Sequence, residues 1–135
     1  MDHNRELVVV VDDDDAVRRA LTFSLRLEGL LVEAHENGDG LLASPPSTLG
    51  CLVVDYRMPG VDGVTLIARL RESDRTLPAI LIASTLDPAL MARAAAAGID
   101  LVLEKPLEDT GLIDGITAAL ARRREAFGTV LREGA

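Results

Sequence analysis

Along the chain, short stretches that are apolar at every position alternate with longer stretches that are apolar on one helical face only. The first kind covers residues 7–11, 51–54, 79–83 and 101–103, with a partly alternating fifth at 30–35. An uninterrupted apolar run suits a strand covered on both faces, as in a parallel sheet; a half-exposed strand would alternate. The second kind predicts helices. Val17, Ala20, Leu21, Ser24 and Leu25 share one face of a first helix, Val64, Ile67 and Leu70 of a third, and Leu90, Ala94 and Ala97 of a fourth. Leu112, Ile116, Ala119 and Leu120 mark the last. It has Glu108 and Asp109 at its start and Arg122, Arg123 and Arg124 near its end, a polarity that complements the helix dipole. A short second helix over 39–43 precedes the turn-forming Ser44-Pro45-Pro46-Ser47, and Gly98 stands where a helix-ending glycine belongs.

Strands alternating with helices five times predict an α/β doubly wound fold around a five-stranded parallel sheet. The length of 135 residues suits one domain, expected over 1–125 with a tail or linker at 126–135. Apolar residues at 48% and charged residues at 27% are enough to bury a core and exclude a disordered class. No apolar run exceeds five residues, too short to cross a bilayer as a helix. The polar start from Met1 to Glu6 lacks a leader pattern, and the lone cysteine, Cys51, permits no disulfide within the chain. Both fit a reducing cytoplasm. The net charge of -8 argues against a nucleic-acid-binding face. Of the 14 basic residues, only Lys105 is a lysine.

In an open α/β sheet, ligands bind beyond the carboxyl ends of the strands. After the first apolar run come Asp12, Asp13, Asp14 and Asp15; after the run at 51–54 comes Asp55; after the last come Glu104 and Lys105. An acidic run behind a strand is most often a solvated turn or a helix cap, and Asp14 or Asp15 is expected to cap the first helix. Asp55 is different, because a carboxylate at the end of a buried strand needs a partner. Crowded carboxylates repel and call for a compensating cation. Lys105 supplies one charge. Oxygen ligands alone favour a hard divalent ion for the rest, Mg²⁺ or Mn²⁺.

The residues 8–11 followed by Asp12-Asp13, then Asp55-Tyr56-Arg57-Met58-Pro59-Gly60-Val61-Asp62-Gly63, then Glu104-Lys105-Pro106, resemble the receiver domain of bacterial response regulators, chemotaxis regulators among them. The likeness covers about residues 6–122. It implies a flavodoxin-like fold of strand order 2-1-3-4-5 and phosphoacceptor function in two-component signalling. By that resemblance Asp55 would take a phosphoryl group from a histidine kinase or phosphotransfer protein. Asp13 would bind Mg²⁺ directly, Asp12 mainly through water, and the backbone carbonyl of Arg57 would add a ligand. Lys105 would pair with a phosphate oxygen, and the Lys105–Pro106 bond would be cis. Further implications are a downstream protein partner, no direct nucleic-acid or membrane contact, and a homodimer through the fourth helix, fifth strand and fifth helix. The alanine-rich stretch 92–97 offers little bulk for such a dimer.

Two positions depart from the family pattern. Where relatives carry Thr or Ser at the end of the fourth strand, counting from Pro78 reaches Ala83, and Ser84 or Thr85 would replace that hydroxyl if the strand ended later. The aromatic position ahead of the lysine holds Val102. The expectation is a phosphorylatable Asp55 whose conformational response is weak or takes another route. A receiver-like interaction module that works without phosphate is one alternative. A Mg²⁺-dependent phosphatase of the haloacid-dehalogenase kind is another, but it wants a second aspartate where this chain has Arg57.

Overall fold

The computed structural model describes residues 6–107 and 110–133, with side chains as far as residue 125. In chain order these form β1 (Leu7–Val11), α1 (Asp15–Leu27), β2 (Leu31–His35), α2 (Asp39–Ala43), β3 (Leu49–Asp55), α3 (Gly63–Arg71), β4 (Ala79–Ala83), α4 (Pro88–Ala96), β5 (Leu101–Glu104) and α5 (Gly111–Glu133). The strands pair in parallel in the order β2-β1-β3-β4-β5, the arrangement expected from the sequence.

Two separate apolar layers explain why the strand runs are apolar throughout. Val9, Val11, Leu52, Val54 and Leu81 point to one face, where Leu41 of α2, Ile67 of α3 and Leu90 of α4 cover them. Val8, Val10, Cys51, Val53 and Ile80 point to the other, beneath Leu25 of α1 and Ile116 of α5. Successive strand residues thus feed opposite layers, and neither parity can be polar. Aspartates start three helices. Asp14 accepts from the N–H groups of Ala16 and Val17, Asp62 from Thr65 and Asp87 from Leu90, with Pro88 in the first turn of α4. Gly98, at φ +67°, ends α4 as expected.

The elements differ from the sequence expectations at three places. β3 is longer at both ends, so Asp55 is its last residue rather than the residue after it. On α1 only Leu25 is buried; Val17 and Leu21 are half-buried, and Ala20 and Ser24 are exposed, because one edge of this face borders a groove. α5 runs on to Glu133, through most of the segment expected as a tail, and its three arginines lie mid-helix. Arg123 is 1% exposed; it pairs with Asp74 and donates to Thr76 Oγ1 at 2.8 Å and the Leu49 carbonyl at 3.3 Å. It therefore ties α5 to the start of β3 rather than complementing a helix end. Glu108 and Asp109 lie outside the described residues.

Cys51 sits at zero exposure in β3, and its thiol is pushed up to about 12, first by burial and then by the charge of Asp100. A thiolate is the reactive form, so the native protein should resist an aromatic disulfide reagent in mildly alkaline buffer and react stoichiometrically once denatured. Rapid reaction of the folded protein would contradict this packing.

Candidate functional site

The carboxyl ends of β1, β3 and β5 deliver the polar residues singled out in the sequence. Asp12 follows β1 and is 2% exposed, and Asp55 closes β3 at 8%. β1 and β3 are direct neighbours, so the two buried carboxylates face one another across a single strand spacing. Asp13, beside Asp12, is exposed at the rim. One carboxylate oxygen from each of Asp12, Asp13 and Asp55 lies within 4.8 Å of the others. Lys105, just past β5, brings its Nζ to 3.1 Å from Asp55 Oδ1 and 3.7 Å from Asp12 Oδ2. Its backbone N–H donates to the Ala83 carbonyl at 2.9 Å, and the Lys105–Pro106 bond is cis as expected.

Local contacts hold this arrangement in place. The Asp14 N–H donates to Asp12 Oδ1 at 2.9 Å, while Arg18 Nη1 donates to the Asp12 carbonyl at 2.8 Å. At Gly63 a Cβ would come within 2.6 Å of the Asp55 carbonyl oxygen, so the start of α3 can pack against the end of β3 only with glycine there. The Gly63 N–H donates to the Tyr56 carbonyl at 2.9 Å and closes the loop that Asp55 opens.

Three carboxylates against one ammonium leave the pocket with excess negative charge. Burial raises the pKa of Asp55 above the ordinary carboxylate range; the hydrogen bond and charge of Lys105 oppose this, while Asp12 and Asp13 add to it. For Lys105, burial alone would lower the pKa, but the hydrogen bond and charge of Asp55, followed by Asp12, raise it. The donor set is all oxygen, with two buried carboxylates and one at the rim, which fits a hard divalent cation.

Arg57 and Ser84 line a recess of about 340 Å³ that starts at Asp55 and continues past Ala83 to Thr85 and Asp87. β4 ends at Ala83, buried at 3%, so the hydroxyls of the exposed Ser84 and Thr85 come after the strand rather than at its last position. Val102 is half-buried against the layer that contains Ala83. A groove of about 580 Å³, lined by Val17, Ala20, Leu21, Ser24, Lys105, Pro106 and Leu107, shares Ser84 with that recess. The sequence reading missed one cluster: Arg93 of α4 reaches Tyr56, Asp62 and Thr65. The only local signal was Asp62 ahead of a helical pattern, which marks a cap and not a partner on α4.

An acidic pocket closed by one lysine, at the carboxyl edge of a parallel sheet of order 2-1-3-4-5, defines a flavodoxin-like α/β domain with its polar site at the strand ends. The chain belongs to the response regulator receiver domain family, whose profile matches residues 8–117. It is 38% identical over 119 residues to the transcriptional regulatory protein FixJ of Azorhizobium caulinodans, covering 87% of this chain and 56% of that protein. To the C4-dicarboxylate transport transcriptional regulatory protein DctD of Pseudomonas aeruginosa it is 39% identical, covering 87% of this chain and 26% of that one. The chain thus spans about half the length of the FixJ relatives, and less of DctD. The crystal structure of FixJ-N matches with a TM-score of 0.77 at 35% identity, over 90% of this chain and 96% of that one. The response regulator StyR matches at 0.81 and 36%, over 93% and 66%.

The raised pKa of Asp55 means the folded protein holds that proton more tightly than the unfolded chain. Without divalent ions, its contribution to stability should fall as pH rises from about 3.8 through the raised value. Asp55→Asn should remove that component and raise the stability of the metal-free protein at neutral pH. Denaturant melts in chelator across the acidic range check both; a destabilised Asn variant would contradict the charge imbalance.

Proposed function

We propose that this receiver domain accepts a phosphoryl group on Asp55 from a phosphohistidine of a histidine kinase or phosphotransfer protein. The carrying observation is the convergence of Asp12, Asp13, Asp55 and Lys105 at one strand edge, with Asp55 buried yet opening onto a recess. In the transfer, a carboxylate oxygen of Asp55 forms a bond to phosphorus as the donor's P–N bond breaks, and the electron pair leaves on the imidazole nitrogen. Such a transfer depends mainly on positioning and charge stabilisation. Lys105 supplies a fixed positive charge beside the acceptor oxygen and pairs with a phosphoryl oxygen in the product.

Asp12, Asp13 and Asp55, with the backbone carbonyl of Arg57, would hold Mg²⁺ or Mn²⁺. The ion would neutralise charge on the phosphoryl oxygens. The groove beside Lys105, with Val17, Leu21, Pro106 and Leu107 in its walls, offers apolar area for the donor protein next to the acceptor. The domain acts as a signalling module that assists its own phosphotransfer and dephosphorylation, with an output carried by another protein or another part of a longer chain. Ala83 presents only a methyl group at the end of β4, and Val102 lacks an aromatic ring. Ser84, on the wall of the recess, is the nearest replacement hydroxyl at the end of β4. Arg57 at the place of a second aspartate weighs against a phosphatase.

Incubation with acetyl phosphate and Mg²⁺ should yield one species heavier by a single phosphoryl group in the intact mass spectrum. Chelator should suppress it, Lys105→Ala should slow its formation, and Asp55→Ala should abolish it. An unchanged adduct in Asp55→Ala would overturn the assignment; no adduct in the native protein would favour the phosphate-independent module.

A further inference from the structure

Arg93 projects from α4 across to the loop that begins immediately after Asp55. Its Nη1 donates to Tyr56 Oη at 3.1 Å and to Asp62 Oδ2 at 3.1 Å, and its Nη2 donates to Thr65 Oγ1 at 3.3 Å. The guanidinium carbon also stands 5.8 Å from the centre of the Tyr56 ring. One side chain therefore grips both ends of the segment 56–62: its first residue, and the aspartate that caps α3. That segment carries Arg57 in the wall of the recess beside Asp55. Its near end is anchored to the sheet, where the Tyr56 N–H donates to the Ile82 carbonyl at 2.8 Å.

The other end of the strap is lightly held. α4 buries only Leu90 and Ala94, and the neighbouring Ala92, Ala95 and Ala96 are exposed and too small to reach another element. With so little apolar anchoring, the forked contacts of Arg93 do much to place the helix relative to the loop. Ala83, which lines the recess beside Asp55, offers only a methyl group at the end of β4. Asp62 answers the contact electrostatically: burial would raise its pKa, but the Thr65 N–H and then Arg93 outweigh it, so it stays charged.

We propose that Arg93 is the positioning residue that couples the occupancy of the Asp55 site to α4, acting through Tyr56 and Asp62. Resting on the phosphoacceptor reading above, the proposal adds a route and an output surface. A charge change at Asp55 that shifts the 56–62 segment alters the geometry of the fork and hence the position of the helix. By linkage, a partner that holds α4 changes the affinity of the Asp55 site by the same factor.

The test uses beryllofluoride with Mg²⁺ as the phosphoryl mimic, at saturation, on the whole chain, read by amide NMR. In the native protein, shifts should appear at Asp13, Asp55 and Lys105 and also along α4 from Leu90 to Ala95. Arg93→Ala, a half-exposed position that should fold normally, is expected to keep the first set and lose at least half of the second. Tyr56→Phe, which removes only the hydroxyl, should give an intermediate loss. The reciprocal readout is the beryllofluoride dissociation constant, which should change by about fivefold in Arg93→Ala. Full α4 shifts and an unchanged constant in Arg93→Ala would overturn the coupling. Absence of shifts at Asp55 in the native protein would overturn the phosphoacceptor reading instead.

Discussion

Two carboxylates, Asp12 and Asp55, are buried side by side at the ends of adjacent strands, and a single ammonium from Lys105 stands between them and solvent. A third carboxylate, Asp13, faces the same space. Lys105 offsets one charge and leaves the pocket acidic, which burial alone disfavours. The pocket is thus electrostatically unbalanced, with an all-oxygen donor set of the kind that suits a hard divalent cation. Much else in the domain serves to keep these groups at their separation.

The sheet order does most of that work. Placing β1 beside β3 juxtaposes the two aspartates without any side chain having to reach. Lys105 has farther to come, since β4 separates β3 from β5, and its backbone is tied to the Ala83 carbonyl that ends β4. With only a methyl group at that strand end, the Arg93 contact is a direct polar tie between α4 and the loop after Asp55. Two apolar layers hold the sheet, and α4 contributes two buried side chains, Leu90 and Ala94, to one of them.

Much of this was legible in the sequence because it depends on local pattern. Continuous apolar runs can exist only where both faces are covered, so the parallel sheet followed from the strands themselves. The strand-end rule then brought Asp12, Asp13, Asp55 and Lys105 together before any geometry was known. Asp14 and Gly98 were readable as helix ends because capping acts within a few residues. Contacts between distant segments were not readable. Arg123 resembled one of three helix-terminal charges, yet it is buried against Asp74 and Thr76 because α5 continues past it. Arg93 resembled an ordinary surface residue on an alanine helix. Its partners lie in another loop, and no periodicity connects them. On α1 the apolar spacing marks the right face but not its depth: Leu25 is buried, while Val17 and Leu21 border a groove.

Asp55 is held in an excess of negative charge, which a bound divalent cation would relieve. Selective carbon labelling of aspartate side chains allows the Asp55 carboxyl to be followed by NMR through an acid titration, with and without Mg²⁺. The metal-free protein should titrate above the ordinary value of about 3.8, and added Mg²⁺ should move the midpoint downward. A metal-free midpoint at or below that value, unmoved by Mg²⁺, would contradict the account.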